Sequence, residues 1–138
     1  MVRGLQVVLT ILGVVAIGAG TLALVTGAAL VPGGDEVTAS VDSEFRFYAA
    51  WYVGAGVVAL RAARRVESEG RTIRALCAFL FLAACARALS IIVVGAPQAW
   101  FLVLMGIEFV IPAVIVPWQA AVAEAGDRNR VKPDAAGR

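Results

Sequence analysis

The sequence contains no histidine and only two cysteines among its 138 residues, and only 16% of the residues are charged. The lack of histidine excludes Ser-His and Cys-His catalytic pairs, imidazole proton shuttles and histidine-bound zinc or haem. Cys77 and Cys85 lie in one apolar stretch, about 12 Å apart along a helix axis, which is too far for a disulfide. We therefore expect no catalytic residue, no metal site and no cofactor.

Most of the residues present are apolar. The chain is 61% hydrophobic with a mean hydropathy of +0.87, whereas about a quarter of the residues in a soluble domain are charged. This composition predicts an all-α integral membrane protein built as a four-helix bundle. We expect one transmembrane domain over 1–123 and a polar, disordered cytoplasmic tail over 124–138. The predicted spans are 5–31, 44–60, 75–94 and 99–121.

Polar or helix-breaking segments separate the predicted spans. Residues 32–36 break the first helix, residues 61–74 form an arginine-rich connector with a helix-ending glycine at Gly70, and residues 95–98 form a tight turn. The uncharged run of span one is longer than the roughly 7–15 apolar residues of a secretory signal, so we expect it to stay in the protein.

The basic residues outside the spans predict the orientation. The loops after spans one and three contain no lysine or arginine, so the positive-inside rule places both termini and the connector in the cytoplasm. Nucleic acid is not an expected partner, because a basic groove with interleaved aromatic residues is missing. The basic residues that set this orientation are Arg3, Arg61, Arg64, Arg65, Arg71, Arg74, Arg128, Arg130, Lys132 and Arg138.

Small residues recur at four-residue spacing in the first two spans, where they allow helix backbones to approach closely in a membrane. Span one contains Ala16 with Gly20, and span two contains Ala50 with Gly54, followed by Gly56. The pattern fits either internal packing of the bundle, which we favour, or a face for dimerisation.

Two charged residues lie well inside the spans, Arg87 in span three and Glu108 in span four. A charge near the centre of a bilayer costs about 2.5–3.5 kcal/mol, so neither side chain is expected to face lipid. Arg87 precedes Pro97 by ten residues and Glu108 follows it by eleven, which places both at a depth of about 15 Å. The two side chains are therefore predicted to form an ion pair.

Three further residues complete a predicted buried polar site. Pro112 cannot donate a hydrogen bond to the carbonyl of Glu108, so span four is expected to kink there. Glu44 and Arg46 lie near the outer end of span two and, being two residues apart, point to different faces of a helix. In one hypothesis Arg87 and Glu108 only hold spans three and four in register. In the other, all four charged residues line an outward-opening pocket, where Arg87 binds an anionic headgroup or solute and Glu108 titrates or binds a cation.

Three separated motifs follow one another along the chain. They are SEFRFY at 43–48 with WYVG at 51–54, ARALS at 86–90, and IEFVIP at 107–112. Together they resemble a family of small four-span bacterial membrane proteins known as domain of unknown function 4345. The resemblance runs from span one to Gln119 and leaves out the connector and the tail. It implies four helices and a membrane location, but it implies no activity.

These observations favour a non-enzymatic component of a bacterial inner membrane. It would be a small accessory subunit, or a bundle that binds lipid or a small solute at Arg87 and Glu108. The alternative is a small proton-coupled transporter that acts as a dimer, with Glu108 as the coupling carboxylate. An enzyme is a third hypothesis, in which Glu108, Glu44 or a tyrosine would act as acid or base. The expected partners are membrane lipids and either a second copy of the chain or a larger membrane complex.

Overall fold

The computed structural model of the chain describes residues 1–31 and 37–131. The predicted all-helical fold class is confirmed within these residues. The predicted break over 32–36 and the end of the tail lie outside them. The α-helices are α1 Val2–Thr26, α2 Ala39–Ala63, α3 Gly70–Val94 and α4 Ala99–Val131, and a short 3-10 helix over Gly27–Leu30 follows α1.

Two glycines set helix boundaries that differ from the predicted ones. The first α-helix ends at Thr26 rather than at 31, because Gly27 has φ of +68°, a left-handed conformation that commonly ends helices. Gly70 was predicted to end a helix, but it begins α3, and α2 already ends at Ala63. A Cβ on Gly70 would lie 2.6 Å from Nε2 of Gln119. Glycine at this position therefore makes room for the side chain of Gln119 and does not end a helix.

The last helix is longer than predicted. α4 continues to Val131, where the sequence had predicted the end of a span at 121 and a disordered tail from 124. The alanine, glutamate and arginine residues of this stretch favour helix. α4 also continues through Pro112 and Pro117, so the predicted kink does not divide it into two helices.

Among the described residues, three helical segments are long and apolar enough to cross a membrane, namely Val2–Ala29, Gly70–Val94 and Ala99–Arg128. Three of the four predicted spans therefore have a matching helix of this kind, and a fourth span stays a prediction. α2 is not apolar enough by the same measure, because Asp42, Glu44 and Arg46 lie near its start and Arg61 lies near its end.

The described helices group into two compact units. In the unit formed by Val7–Arg64, glycines bring α1 and α2 into close contact. A Cβ on Gly20 would lie 2.8 Å from the carbonyl oxygen of Ala49, and one on Gly56 would lie 2.7 Å from that of Gly13. These small residues therefore serve internal packing, whereas a Cβ on Gly54 would meet no atom within 4 Å.

The other unit contains Met1–Gln6 and Arg65–Arg138, and α3 and α4 form a helical hairpin within it. Its most buried side chains lie near the start of α3 and in the second half of α4. Among them is Gln119, whose Nε2 donates a hydrogen bond to the carbonyl oxygen of Val66 at 3.3 Å. Among the described residues of this unit, the largest fully buried side chains are Leu5, Val66, Ile73, Gln119 and Val122.

Candidate functional site

Arg87 of α3 and Glu108 of α4 meet inside the hairpin. Nε of Arg87 donates a hydrogen bond to Oε2 of Glu108 at 2.8 Å. Arg87 precedes the end of α3 by seven residues and Glu108 follows the start of α4 by nine. These separations correspond to about 10 and 14 Å along the two helix axes, so a short turn brings the side chains to similar depth. The predicted ion pair is confirmed.

The two side chains of this pair differ in exposure. The side chain of Glu108 is 8% exposed, whereas that of Arg87 is 30% exposed. The guanidinium carbon of Arg87 also lies 5.9 Å from the centroid of the Phe101 ring, within the range of a cation–π contact. The carboxylate is thus enclosed by protein, while the arginine remains partly accessible from outside the chain.

Two residues that follow Glu108 in α4, Phe109 and Pro112, shape the surroundings of its side chain. Pro112 is buried one helical turn later, and without an N–H it cannot donate to the carbonyl of Glu108. Phe109 packs edge-on against Phe81 of α3, with ring centroids 5.4 Å apart and planes at 76°. The aromatic contact fixes α4 against α3 at the level of the ion pair.

Arg46 forms hydrogen bonds both within α2 and with the end of α1. Its Nε donates a hydrogen bond to Oδ2 of Asp42, one turn earlier in α2, at 2.8 Å. Its Nη1 donates to the carbonyl oxygens of Leu24 and Val25 in the last turn of α1. Arg46 therefore satisfies carbonyls that have no partner within their own helix, as expected for a basic side chain at a helix C-terminus.

Asp42 completes this contact between α2 and the end of α1. Its Oδ1 accepts a hydrogen bond from the backbone N–H of Ala28 at 2.9 Å. A Cβ on Gly27 would overlap both Asp42 and Arg46, so glycine permits the close approach. The sequence prediction missed Asp42, although its spacing of four residues from Arg46 is the usual signal for a helical ion pair.

Glu44 does not belong to a buried site in this structure. Its side chain is exposed, and it has no hydrogen-bond or ion-pair partner among the residues that the structure describes. Glu44 and Arg46 point to different faces of α2, as predicted. Arg87 and Glu108 lie in one compact unit and Glu44 and Arg46 in the other. The common pocket lined by these four charged residues stays a prediction.

Residues 4–119 match the family defined by a domain of unknown function, DUF4345. The chain belongs to this DUF4345 family. The match ends at Gln119, as the motifs suggested, but it also extends across the connector, which the motifs alone had left out. Comparisons with curated proteins and with solved structures gave no match.

In this DUF4345 protein the three motifs supply all the charged residues of the predicted site. The first motif lies near the start of α2 and carries Glu44 and Arg46, the second lies in α3 and carries Arg87, and the third lies in α4 and carries Glu108 and Pro112. The family description gives no reaction or ligand. The chemistry of these side chains is therefore the evidence that bears on function.

Proposed function

We propose that this DUF4345 protein is a non-enzymatic integral membrane protein that binds an anionic group at Arg87. The anionic group is the phosphate of a lipid headgroup or a small anionic solute. The observation that carries the proposal is the difference in exposure within the ion pair, 30% for Arg87 against 8% for Glu108. A planar guanidinium with several N–H donors suits phosphate and carboxylate oxygens.

The surroundings of Arg87 support a membrane setting for this site. In the part of the chain that the structure describes, three helical segments are long and apolar enough to cross a bilayer, and two of them are the helices that carry the ion pair. The end of α3 beyond Arg87 exposes Ile92, Val93 and Val94, which are 73–83% exposed. Ionisable residues within such apolar helices generally pair with one another or mark a ligand pathway.

Glu108 acts in this proposal as a positioning residue for Arg87. Its buried carboxylate neutralises the arginine within the hairpin, and its hydrogen bond to Nε restricts the orientation of the guanidinium plane. A side chain held in this way loses less conformational freedom when it binds a ligand than a mobile surface arginine does. The pair therefore joins α3 to α4 and holds the guanidinium group of Arg87 in a fixed orientation.

Retention of anionic ligand by purified protein tests the proposal, with native mass spectrometry as the readout. We expect Arg87→Gln to weaken binding about tenfold, because hydrogen bonds to charged groups contribute about 1.5–3 kcal/mol. Arg87→Lys is expected to bind at an intermediate level, because lysine keeps the charge without the planar fork. Arg71→Gln removes an exposed arginine from the same helix and serves as the control.

Two ligands distinguish the sources of the anion. Retention of phosphatidylglycerol without binding of inorganic phosphate identifies a lipid headgroup, and the reverse result identifies a small solute. Equal binding of both ligands by the wild-type protein and by Arg87→Gln would show that Arg87 is not the site.

We further propose that all four helices cross a bacterial inner membrane with both termini in the cytoplasm. The Asp42–Arg46 ion pair neutralises two of the charges that make α2 less apolar than the other helices, which lowers the cost of inserting it. The positive-inside rule supports the orientation, because the connector is rich in arginine and the turn at 95–98 has no basic residue.

Cysteine labelling in intact cells checks this topology. In a background with Cys77→Ala and Cys85→Ala, a membrane-impermeant thiol reagent is expected to label Ala96→Cys before permeabilisation. The same reagent should label Ser68→Cys, in the connector, only after permeabilisation. The opposite pattern would reverse the orientation, and labelling of both positions from one side would contradict the crossing of the membrane between them.

A further inference from the structure

One face of α2 carries an exposed carboxylate beside exposed aromatic rings. Glu44, Phe47, Tyr48 and Trp51 are spaced by three, four and seven residues, so they form one stripe along the helix. The three rings are 55–59% exposed. We call these four residues the aromatic face. The contact with α1 lies on the opposite side of α2 and includes the buried residue Ala49.

The three rings form one contiguous cluster. Phe47 lies edge-on to Tyr48, with centroids 5.4 Å apart and planes at 70°, and edge-on to Trp51, with centroids 6.2 Å apart and planes at 77°. Rings in this arrangement present their faces in different directions, and the face of an aromatic ring carries partial negative charge. A cation that approaches this cluster can contact the face of an exposed ring.

The charges around the aromatic face favour a cation as its ligand. Asp42 and Arg46 form an ion pair with each other, which leaves Glu44 as the unbalanced charge over 39–51. Glu44 is exposed, and none of the described residues forms a hydrogen bond or ion pair with it. A carboxylate in this position repels anionic groups and can accept hydrogen bonds from an N–H donor.

We propose that the aromatic face binds the primary ammonium group of an ethanolamine phospholipid headgroup. The ammonium donates hydrogen bonds to the carboxylate of Glu44 and lies over the faces of the neighbouring rings. An ethanolamine headgroup fits better than a choline headgroup, because a quaternary ammonium has no N–H to donate to Glu44. Aromatic side chains are typical of the headgroup level of a membrane, so this surface is suited to a lipid. This inference does not depend on the anion site at Arg87.

Native mass spectrometry of the full chain with phosphatidylethanolamine, phosphatidylcholine or phosphatidylglycerol tests this inference. We expect Glu44→Gln and Trp51→Leu each to lower retention of phosphatidylethanolamine about two- to fivefold, the effect of losing an exposed ion pair in the first case and an exposed cation–π contact in the second. Glu44→Asp keeps the carboxylate and is expected to retain the lipid. Glu124→Gln and Phe79→Leu change an exposed glutamate and an exposed ring elsewhere and should have no effect.

The same measurement contains the results that would overturn the proposal. The proposal is overturned if both Glu44→Gln and Trp51→Leu retain phosphatidylethanolamine at the wild-type level. The proposal is also overturned if these variants lose all three lipids equally, because that result would show nonspecific lipid binding rather than recognition of an ammonium group. Arg87→Gln is expected to lower the retention of every lipid that carries a phosphate but to keep the preference for phosphatidylethanolamine over phosphatidylcholine, whereas Glu44→Gln is expected to remove that preference, so the two proposed sites can fail independently.

Discussion

Arg87→Leu is expected to lower the free energy of unfolding of the α3–α4 hairpin by about 3 kcal/mol or more. The substitution leaves the carboxylate of Glu108, which is 8% exposed, without its cationic partner. Removing one member of a buried ion pair costs more than the pair contributes, because the remaining group keeps its desolvation penalty. Denaturant unfolding in detergent micelles, followed by loss of helical circular dichroism, measures the effect.

A double variant separates the unpaired carboxylate from the loss of arginine itself. Arg87→Met combined with Glu108→Leu replaces both partners with apolar side chains, and such replacements are often neutral or stabilising. We therefore expect the double variant to unfold close to the wild-type midpoint. If the single variant Arg87→Leu also unfolded at the wild-type midpoint, the contact between the two helices would contribute nothing to stability.

Gly56→Ala is expected to destabilise the unit of α1 and α2 by about 1–3 kcal/mol, the usual cost of overpacking a well-packed contact. The added Cβ would lie 2.7 Å from the carbonyl oxygen of Gly13, and a backbone atom cannot move aside as a side chain can. Gly54→Ala is the matched control on the same helix, because a Cβ there meets no atom within 4 Å. The same unfolding measurement compares the two variants.

The two glycines also decide between internal packing and dimerisation. If Gly54→Ala is harmless while Gly56→Ala is damaging, the small residues of α2 pack against α1 within one chain. If instead Gly54→Ala is the more damaging variant and also changes the oligomeric state, the exposed side of α2 contacts a second chain. That outcome would contradict the role assigned to Gly56.

The sequence was most informative around the turn between α3 and α4. The predicted spans end at 94 and begin at 99, and the helices have these same boundaries. Gly95 adopts φ of +113° there, and the glycine and proline of the turn are strong local signals. Because the turn was placed correctly, equal distances from it along two antiparallel helices were enough to predict the Arg87–Glu108 pair.

Features that depend on contacts between distant residues were not predictable in this way. A glycine between two helical segments can end the first or begin the second, and the local sequence does not distinguish the two cases for Gly70. Its position is explained by the packing of Gln119 against it. Arg46 reaches the carbonyls of Leu24 and Val25 in α1. Its two-residue spacing from Glu44 indicates that one of the two residues contacts another helix, but it does not identify these carbonyls. The exposure of Glu44 likewise follows from which side of α2 faces α1.

The most direct test of the anion site is a variant in which the charges are exchanged, Arg87→Glu combined with Glu108→Arg. This double variant can keep an ion pair between α3 and α4, but it places the carboxylate at the more exposed position. If Arg87 is the anion site, the double variant remains folded with wild-type helical content, and retention of phosphatidylglycerol or phosphate falls about tenfold. Wild-type retention by the folded double variant would contradict the proposal that Arg87 binds the anion.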